Sequence, residues 1–185
     1  MSAAYKFGSI PDHERRYDYQ DVFSLEKNPR LERLVIAPSA KQVTLMVELL
    51  GAMPEPYGIL YVLVVPRIEA EAGRYQAADF RSRNETEDFL GRFKDFFEND
   101  GRHHVWIASR PGPDLLVYDR HNVIYAYGRL PQFERIVLRR GLSKVDDVKF
   151  PSPHTHNYNE AFDEDEEELL RYWPWLRSPL RDNDC

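Results

Sequence analysis

The stretch "HHVWIASRPGPDLLVYDRHNVIYAY", residues 103–127, contains three short apolar runs separated by turn residues. The first two runs are separated by Arg-Pro-Gly-Pro-Asp, and the last two by Asp-Arg-His-Asn. Because β-branched and aromatic residues favour strands, whereas Pro, Gly, Asn and Asp favour turns, this pattern predicts three consecutive strands. Connections this tight join antiparallel neighbours. We therefore expect an antiparallel meander in this part of the chain.

Segments on both sides of the meander extend this prediction. Apolar runs at 31–37 and 58–65 are typical of strands. The second run is continuously apolar, which predicts a strand that is buried on both faces. Ser39 and Gln42 have the spacing of a capping box at the start of a helix. Helical spacing of apolar residues predicts helices over residues 43–53, 89–97, 130–140 and 162–173, with a strand as the alternative over residues 130–140. The sequence predicts an α+β fold with a mostly antiparallel sheet of about six to seven strands and three to four helices.

The length of 185 residues is sufficient for one domain with a hydrophobic core. Residues 1–30 are polar and weakly patterned, so we expect an irregular N-terminal arm there, followed by a single domain over residues 31–185. Residues 145–150 are expected to form a last edge strand. No repeat or composition change divides the chain further.

The only cysteine is Cys185, the last residue. An intrachain disulfide and a zinc site made of cysteines are therefore excluded, and a reducing compartment is favoured. The N-terminal residues lack the apolar region of a signal peptide, and the longest apolar run is too short to cross a bilayer. We expect a cytoplasmic protein that does not bind a membrane.

Acidic residues are concentrated in one short segment. The net charge of the chain is −6, and residues 160–168 contain seven acids and no base, so that without those acids the charge would be +1. A general affinity for nucleic acid is therefore not expected. Acids at the start of a helix also stabilise the helix itself, which is the simpler interpretation of the segment.

The main functional hypothesis is that this acidic segment binds a basic protein partner, as in an immunity or inhibitor protein. Asp163, Glu164 and Glu167 would supply the charge that steers association, and Trp173 and Trp175 would supply apolar anchors. The alternative for the two tryptophans is that they attach the last helix to the core. This hypothesis requires no cofactor.

A second hypothesis concerns the sequence Pro-His-Thr-His at residues 153–156. Side chains alternate along an extended segment, so His154 and His156 would share one face and could bind one divalent transition-metal ion. Possible further ligands are Asp119, His121, Asp163 and Glu164, although none completes a known motif. The alternative is that the histidines only pack on the sheet. The second hypothesis is therefore a metal-binding protein or a metal-dependent enzyme.

Recognised catalytic motifs are missing from the sequence. It contains no glycine-rich phosphate loop, no G-x-S-x-G nucleophile elbow and no H-E-x-x-H metal-binding pair. His121 and Asp119 could form an acid–base pair, but both residue types are also common in turns for backbone reasons. The sequence therefore identifies no catalytic residue.

Overall fold

The computed structural model describes residues 4–9, 16–29 and 31–184. Within these residues the protein has the predicted α+β fold, with eleven strands and five α-helices. The strands are β1 (Phe7–Ser9), β2 (Val22–Asn28), β3 (Leu31–Ala37), β4 (Tyr57–Leu63), β5 (Gly73–Ala77), β6 (His103–Ser109), β7 (Leu115–Tyr118), β8 (Ile124–Tyr127), β9 (Ser143–Lys144), β10 (His154–His156) and β11 (Trp175–Ser178). The helices are α1 (Gln42–Leu50), α2 (Arg83–Arg92), α3 (Lys94–Asn99), α4 (Leu130–Arg139) and α5 (Asp163–Tyr172), with short 3-10 turns at Glu160–Phe162 and Asp182–Asp184.

The predicted meander lies in the middle of the main sheet. The nine strands described for this sheet run in the order β11-β5-β4-β6-β7-β8-β3-β2-β9, and every neighbouring pair is antiparallel except β2 and β9. Two more strands, β1 and β10, form a separate antiparallel pair. The strand number exceeds the predicted six to seven mainly because β1, β9 and β10 have only two or three residues each, too few to leave an alternating pattern.

The two faces of the main sheet have different environments. Val105 and Ile107 of β6 point into the large core, to which all five helices contribute buried side chains. His104 and Trp106 alternate with them and point to the opposite face. A small second core that includes Phe7 covers part of that face. The remaining part is open and forms the wall of a cavity.

The described part of the N-terminal segment contains regular structure that the sequence does not indicate. The predicted irregular arm, residues 1–30, contains β1 and the whole of β2, which pairs with β3 over seven residues. Strand β2 lies near the edge of the sheet, because on one side its neighbour is only the two-residue β9. Several of its side chains are therefore exposed and polar, and they obscure the alternation of apolar and polar residues that predicts a strand. The predicted edge strand at residues 145–150 is wrong: these residues form no strand, and β9 ends at Lys144.

The predicted capping box at Ser39 is also wrong. Helix α1 begins at Gln42, and its N-cap residue, Lys41, has a left-handed backbone with φ of 60° and no side-chain cap. The Ser39 hydroxyl instead donates to the Asp21 carboxylate at 2.9 Å, and the Ser39 backbone N–H donates to the same side chain at 2.8 Å. A contact distant in sequence has therefore replaced the local cap.

A buried ion network fixes α5 to the rest of the protein. The Arg102 side chain is fully buried and donates to both carboxylate oxygens of Asp100, at 2.8 and 3.0 Å. It also donates to Asp163, at 3.0 Å, and to Glu166. Because an unpaired buried charge is very costly, these contacts hold the first turn of α5 in place. In the residues described, no helix combines the length and apolar character needed to cross a membrane.

Candidate metal centre

Three histidine side chains meet at one end of the open sheet face. His121, His154 and His156 each offer one ring nitrogen, and these three nitrogens lie within 4.8 Å of one another. The ring centroids form a nearly equilateral triangle, with sides of 5.2 Å, 4.8 Å and 5.1 Å. Imidazole is a good ligand for zinc, copper, iron and nickel, so this cluster has the donor set of a transition-metal site.

The separate two-stranded sheet places two of the three histidines. His154 and His156 lie on the same face of β10, as the alternation of an extended segment predicts. Strand β10 pairs with β1, where His156 is opposite Phe7 and His154 is opposite Ser9. The position of these two rings thus depends on a pairing between the beginning and the end of the chain.

The turn between β7 and β8 places the third histidine. The Asp119 carboxylate accepts the backbone N–H groups of His121, at 2.9 Å, and of Val123, at 3.1 Å. Asn122 has a left-handed backbone with φ of 62°, and its side-chain oxygen accepts the Tyr118 hydroxyl at 2.7 Å. These contacts fix the turn, so that His121 projects towards the other two histidines.

Hydrogen bonds leave the outer nitrogen of two rings free. Asp119 Oδ2 is 2.7 Å from Nδ1 of His121, and the backbone oxygen of Pro151 is 3.1 Å from Nδ1 of His154. An acceptor at Nδ1 places the ring proton there, so Nε2 keeps the lone pair that a metal ion needs. Nδ1 of His156 is buried and has no hydrogen-bond partner among the described residues.

The electrostatic environment keeps the ring of His156 neutral and the Asp119 carboxylate ionised. Burial, together with the nearby charge of Arg120 and the neighbouring imidazoles, lowers the pKa of His156 to about 3. Burial would raise the pKa of Asp119, but the hydrogen bond from His121 and nearby positive charges outweigh this effect and lower it. An ionised carboxylate that accepts the Nδ1 proton of a histidine, as Asp119 does from His121, is the usual arrangement behind a metal-binding histidine.

The ring of Phe7 forms a common wall for the cluster. Phe7 is completely buried, and its ring centroid lies 5.3 Å from His121, 5.3 Å from His154 and 5.6 Å from His156. This apolar contact limits the rotation of the imidazoles on one side. Zinc bound to three imidazoles needs nitrogens roughly 3.3 Å apart, which follows from Zn–N bonds of about 2.0–2.1 Å in tetrahedral geometry. Binding of zinc would therefore require the rings to rotate towards one another, and His154 is the ring most exposed to solvent.

A cavity of about 660 Å³ adjoins the three histidines. Trp106, Val117 and Tyr125 lie side by side on neighbouring strands and form its floor. The volume is in the range of small-molecule sites. Because a three-histidine site leaves at least one coordination position open, an ion held there would be accessible from the cavity.

Two acids that the sequence suggested as metal ligands lie elsewhere. Asp163 forms ion pairs with Arg67 and Arg102, both at 3.0 Å, and Glu164 is exposed on α5. Neither belongs to the histidine cluster, whereas His121 does. Asp119, another of the suggested ligands, instead contacts the ring of His121.

The acidic segment is largely paired within the protein. Glu167 pairs with Arg171 at 3.0 Å and Glu168 with Arg92 at 2.6 Å, in addition to the contacts of Asp163 and Glu166 with Arg102. Three acids form no ion pair with any described residue: Glu160, Glu164 and Asp165. The ion pairs of the other four acids reduce the negative charge that the segment offers to a partner.

The two tryptophans next to this segment contact the core. The ring of Trp173 stacks on Phe89 with a centroid distance of 4.5 Å, and Trp175 lies 6.2 Å from the same ring. The indole N–H of Trp175 donates to the backbone oxygen of Leu169 at 3.0 Å. Both rings are half-buried, so they attach the end of α5 and still present part of their surface.

Comparison with protein-family models, with curated proteins and with solved structures found no significant match to this chain.

Several residues of the site were not identified from the sequence. Phe7 lies in the segment predicted to be irregular, and Arg120, Trp106 and Tyr125 read as ordinary strand and turn residues. The alternation of side chains along β6 and β8 is the sequence feature that bears on them. It places Trp106 on the face of β6 opposite to Val105 and Ile107, and Tyr125 on the face of β8 opposite to Ile124 and Ala126. No local pattern could show that this face is open.

Proposed function

We propose that this protein binds one divalent transition-metal ion through His121, His154 and His156, and that it is a metal-dependent enzyme acting on a small molecule in the adjoining cavity. The observation that supports the proposal is the meeting of three imidazole nitrogens, from two distant parts of the chain, within 4.8 Å. Zinc is the favoured ion, because three histidines and one open position form a common catalytic zinc site.

The surroundings of the cluster favour a catalytic site over a purely structural one. A structural zinc ion is normally enclosed by four protein ligands, whereas three ligand side chains are grouped here, among the residues described, beside a cavity of about 660 Å³. A bound zinc ion would lower the pKa of a coordinated water to about 7 and so supply a nucleophile at neutral pH. Asp119 would orient His121 and increase its basicity through the 2.7 Å hydrogen bond.

A zinc titration of the protein without a polyhistidine tag tests this proposal. The wild type is expected to bind one zinc ion per chain and to gain thermal stability as zinc is added, because the ion binds the folded state. The His154→Ala variant removes an exposed ligand at little cost to the fold, and it should lose most of the zinc affinity. Isothermal titration calorimetry and thermal denaturation measure both effects.

The matched control is His104→Gln. His104 also lines the cavity, but it lies outside the group of three close ligand nitrogens. Zinc affinity should therefore change little in this variant. A wild type that binds no zinc, cobalt or nickel, or a His154→Ala variant that binds as tightly as the wild type, would end the proposal.

Binding of a basic protein through the acidic segment is a second proposal. The supporting observation is that Glu160 and Glu164 are exposed and form no ion pair with the described residues. If the proposal is correct, reversal of charge in a Glu160→Lys, Glu164→Lys double variant should abolish capture of the partners that the wild type retains. Asp88→Lys, an exposed acid on α2, is the control. Unchanged capture by the double variant would contradict this second proposal.

A further inference from the structure

The guanidinium group of Arg120 lies in the cavity wall beside the histidines and forms no ion pair with any residue that the structure describes. Its one hydrogen bond to a described residue runs from Nη2 to the Tyr158 hydroxyl at 3.3 Å, and its Nε is buried with no partner in the described part of the chain. An unpaired, partly buried cation is costly, and it is usually balanced by an anion. Arg120 is therefore available to a ligand.

The other arginine of the cavity provides a contrast. Arg33 donates to the Glu26 carboxylate at 2.9 Å and to the Tyr127 hydroxyl at 2.8 Å, and it lies over the ring of Tyr125. Its charge is thus already balanced within the protein. Of these two arginines, only Arg120, which is next to the histidines, lacks a carboxylate partner among the described residues.

The charges around the cavity favour an anion. Asp119 is the one acid among the described residues that line the cavity, and its oxygens already accept from the His121 ring and from two backbone N–H groups. A divalent ion at the histidines would add two positive charges to that of Arg120. The local field would therefore attract a negatively charged group and repel a cation.

The cavity floor supplies a surface for the remainder of such a ligand. Trp106 and Tyr125 present aromatic rings on the open sheet face, with Val117 between them. The Trp106 indole nitrogen is buried without a partner among the described residues, and it can only donate. Aromatic side chains stack on planar or apolar groups, so the floor suits the uncharged body of a small molecule.

We propose that the cavity binds a small molecule that carries an oxyanion group, a carboxylate or a phosphoryl group, with Arg120 holding the oxyanion beside the metal ion and the floor of Trp106 and Tyr125 holding an aromatic or apolar body. Guanidinium donors match the geometry of both oxyanions. This inference rests on the proposed metal site, because the ion is the second positive partner of the oxyanion.

The test measures metal and anion binding separately on the same protein. Zinc binding is first confirmed by titration, and the zinc-loaded protein is then titrated with benzoate, with phenylphosphonate and, as a neutral analogue, with benzyl alcohol. We expect one or both anions to bind at least tenfold more tightly than the alcohol. The stronger of the two anions identifies whether the natural group is a carboxylate or a phosphoryl group.

Variants of Arg120 assign the effect to this residue. Arg120→Gln should weaken binding of the preferred anion at least tenfold while leaving zinc affinity within threefold of the wild type, and Arg120→Lys should retain part of the anion affinity. Arg135→Gln, an exposed arginine of α4, is the matched control and should bind as the wild type does. Thermal denaturation confirms that each variant is folded.

The outcomes separate the two proposals. If zinc binds but neither anion does, or if Arg120→Gln binds the anion as tightly as the wild type, the oxyanion proposal is wrong and the metal site stands. If no metal ion binds, the metal site is wrong and the oxyanion proposal fails with it.

Discussion

Replacement of Asp119 by asparagine should weaken zinc binding without removing a zinc ligand. In the wild type one carboxylate oxygen accepts the backbone N–H groups of His121 and Val123, at 2.9 and 3.1 Å, and the other accepts the ring N–H of His121 at 2.7 Å. An asparagine oxygen would keep the two backbone contacts. Its NH₂ group would then face Nδ1 of the ring and would favour the tautomer with the proton on Nε2, where zinc should bind.

The size of the effect follows from this change of tautomer. Loss of a hydrogen-bonded partner behind a metal ligand typically lowers metal affinity about 10–100-fold. That range corresponds to about 1.4 to 2.8 kcal/mol, since a factor of ten is about 1.4 kcal/mol. Competition between the protein and a coloured zinc chelator measures the dissociation constant over this range.

Asp114→Asn is the control for the general effect of removing a buried carboxylate. Asp114 is 2 % exposed and lies in the turn between β6 and β7. It forms an ion pair with Arg129 at 2.7 Å and does not belong to the histidine cluster. Both variants should be less stable than the wild type, but only Asp119→Asn should bind zinc more weakly. Equal zinc affinity in Asp119→Asn and the wild type would refute the assigned role of Asp119.

Three further predictions concern stability. Burial lowers the pKa of Lys6 to about 7 from a usual 10.5, so the unfolded chain binds a proton that the folded protein releases, and this penalty grows as the pH falls from 10.5 towards 7. The gain in unfolding free energy from Lys6→Met should therefore be greater at pH 7 than at pH 9, by about 2 kcal/mol in urea denaturation. A gain that does not depend on pH would contradict the lowered pKa of Lys6. Arg102→Met leaves buried carboxylates unpaired and should cost about 3–5 kcal/mol in the same assay, whereas a loss below about 1 kcal/mol would show that the network is not intact. Gly128→Ala should also be strongly destabilising, because Gly128 has φ of 101° and an added Cβ would lie 2.9 Å from Cα of Asp114; a melting temperature equal to that of the wild type would be inconsistent with this turn.

The parts of the fold that sequence predicted correctly are those with strong local patterns. The three strands of the meander, the helix before β9 and the buried phenylalanines of α2 and α3 each follow from apolar spacing over about ten residues. The sequence does not indicate β1 and β2, because pairing with their neighbours, rather than their own composition, makes them strands. Ser39 shows the same effect, since its hydroxyl contacts Asp21 rather than its own helix.

The candidate site was predictable only in part. The shared face of His154 and His156 follows from alternation along one strand, and His121 was one of several possible partners. The choice among those partners required the pairing of β1 with β10, which joins segments about 150 residues apart. Phe7 and Arg120 complete the site through that pairing and through the β7–β8 turn, and neither contact leaves a trace in local sequence.

X-ray diffraction from zinc-soaked crystals, recorded on both sides of the zinc absorption edge, tests the metal site most directly. The structure predicts one anomalous peak per chain, bonded to nitrogens of His121, His154 and His156 at about 2.0–2.1 Å and open towards the cavity. An empty histidine cluster, or zinc bound only at the exposed acids of residues 160–168, would contradict the proposed function.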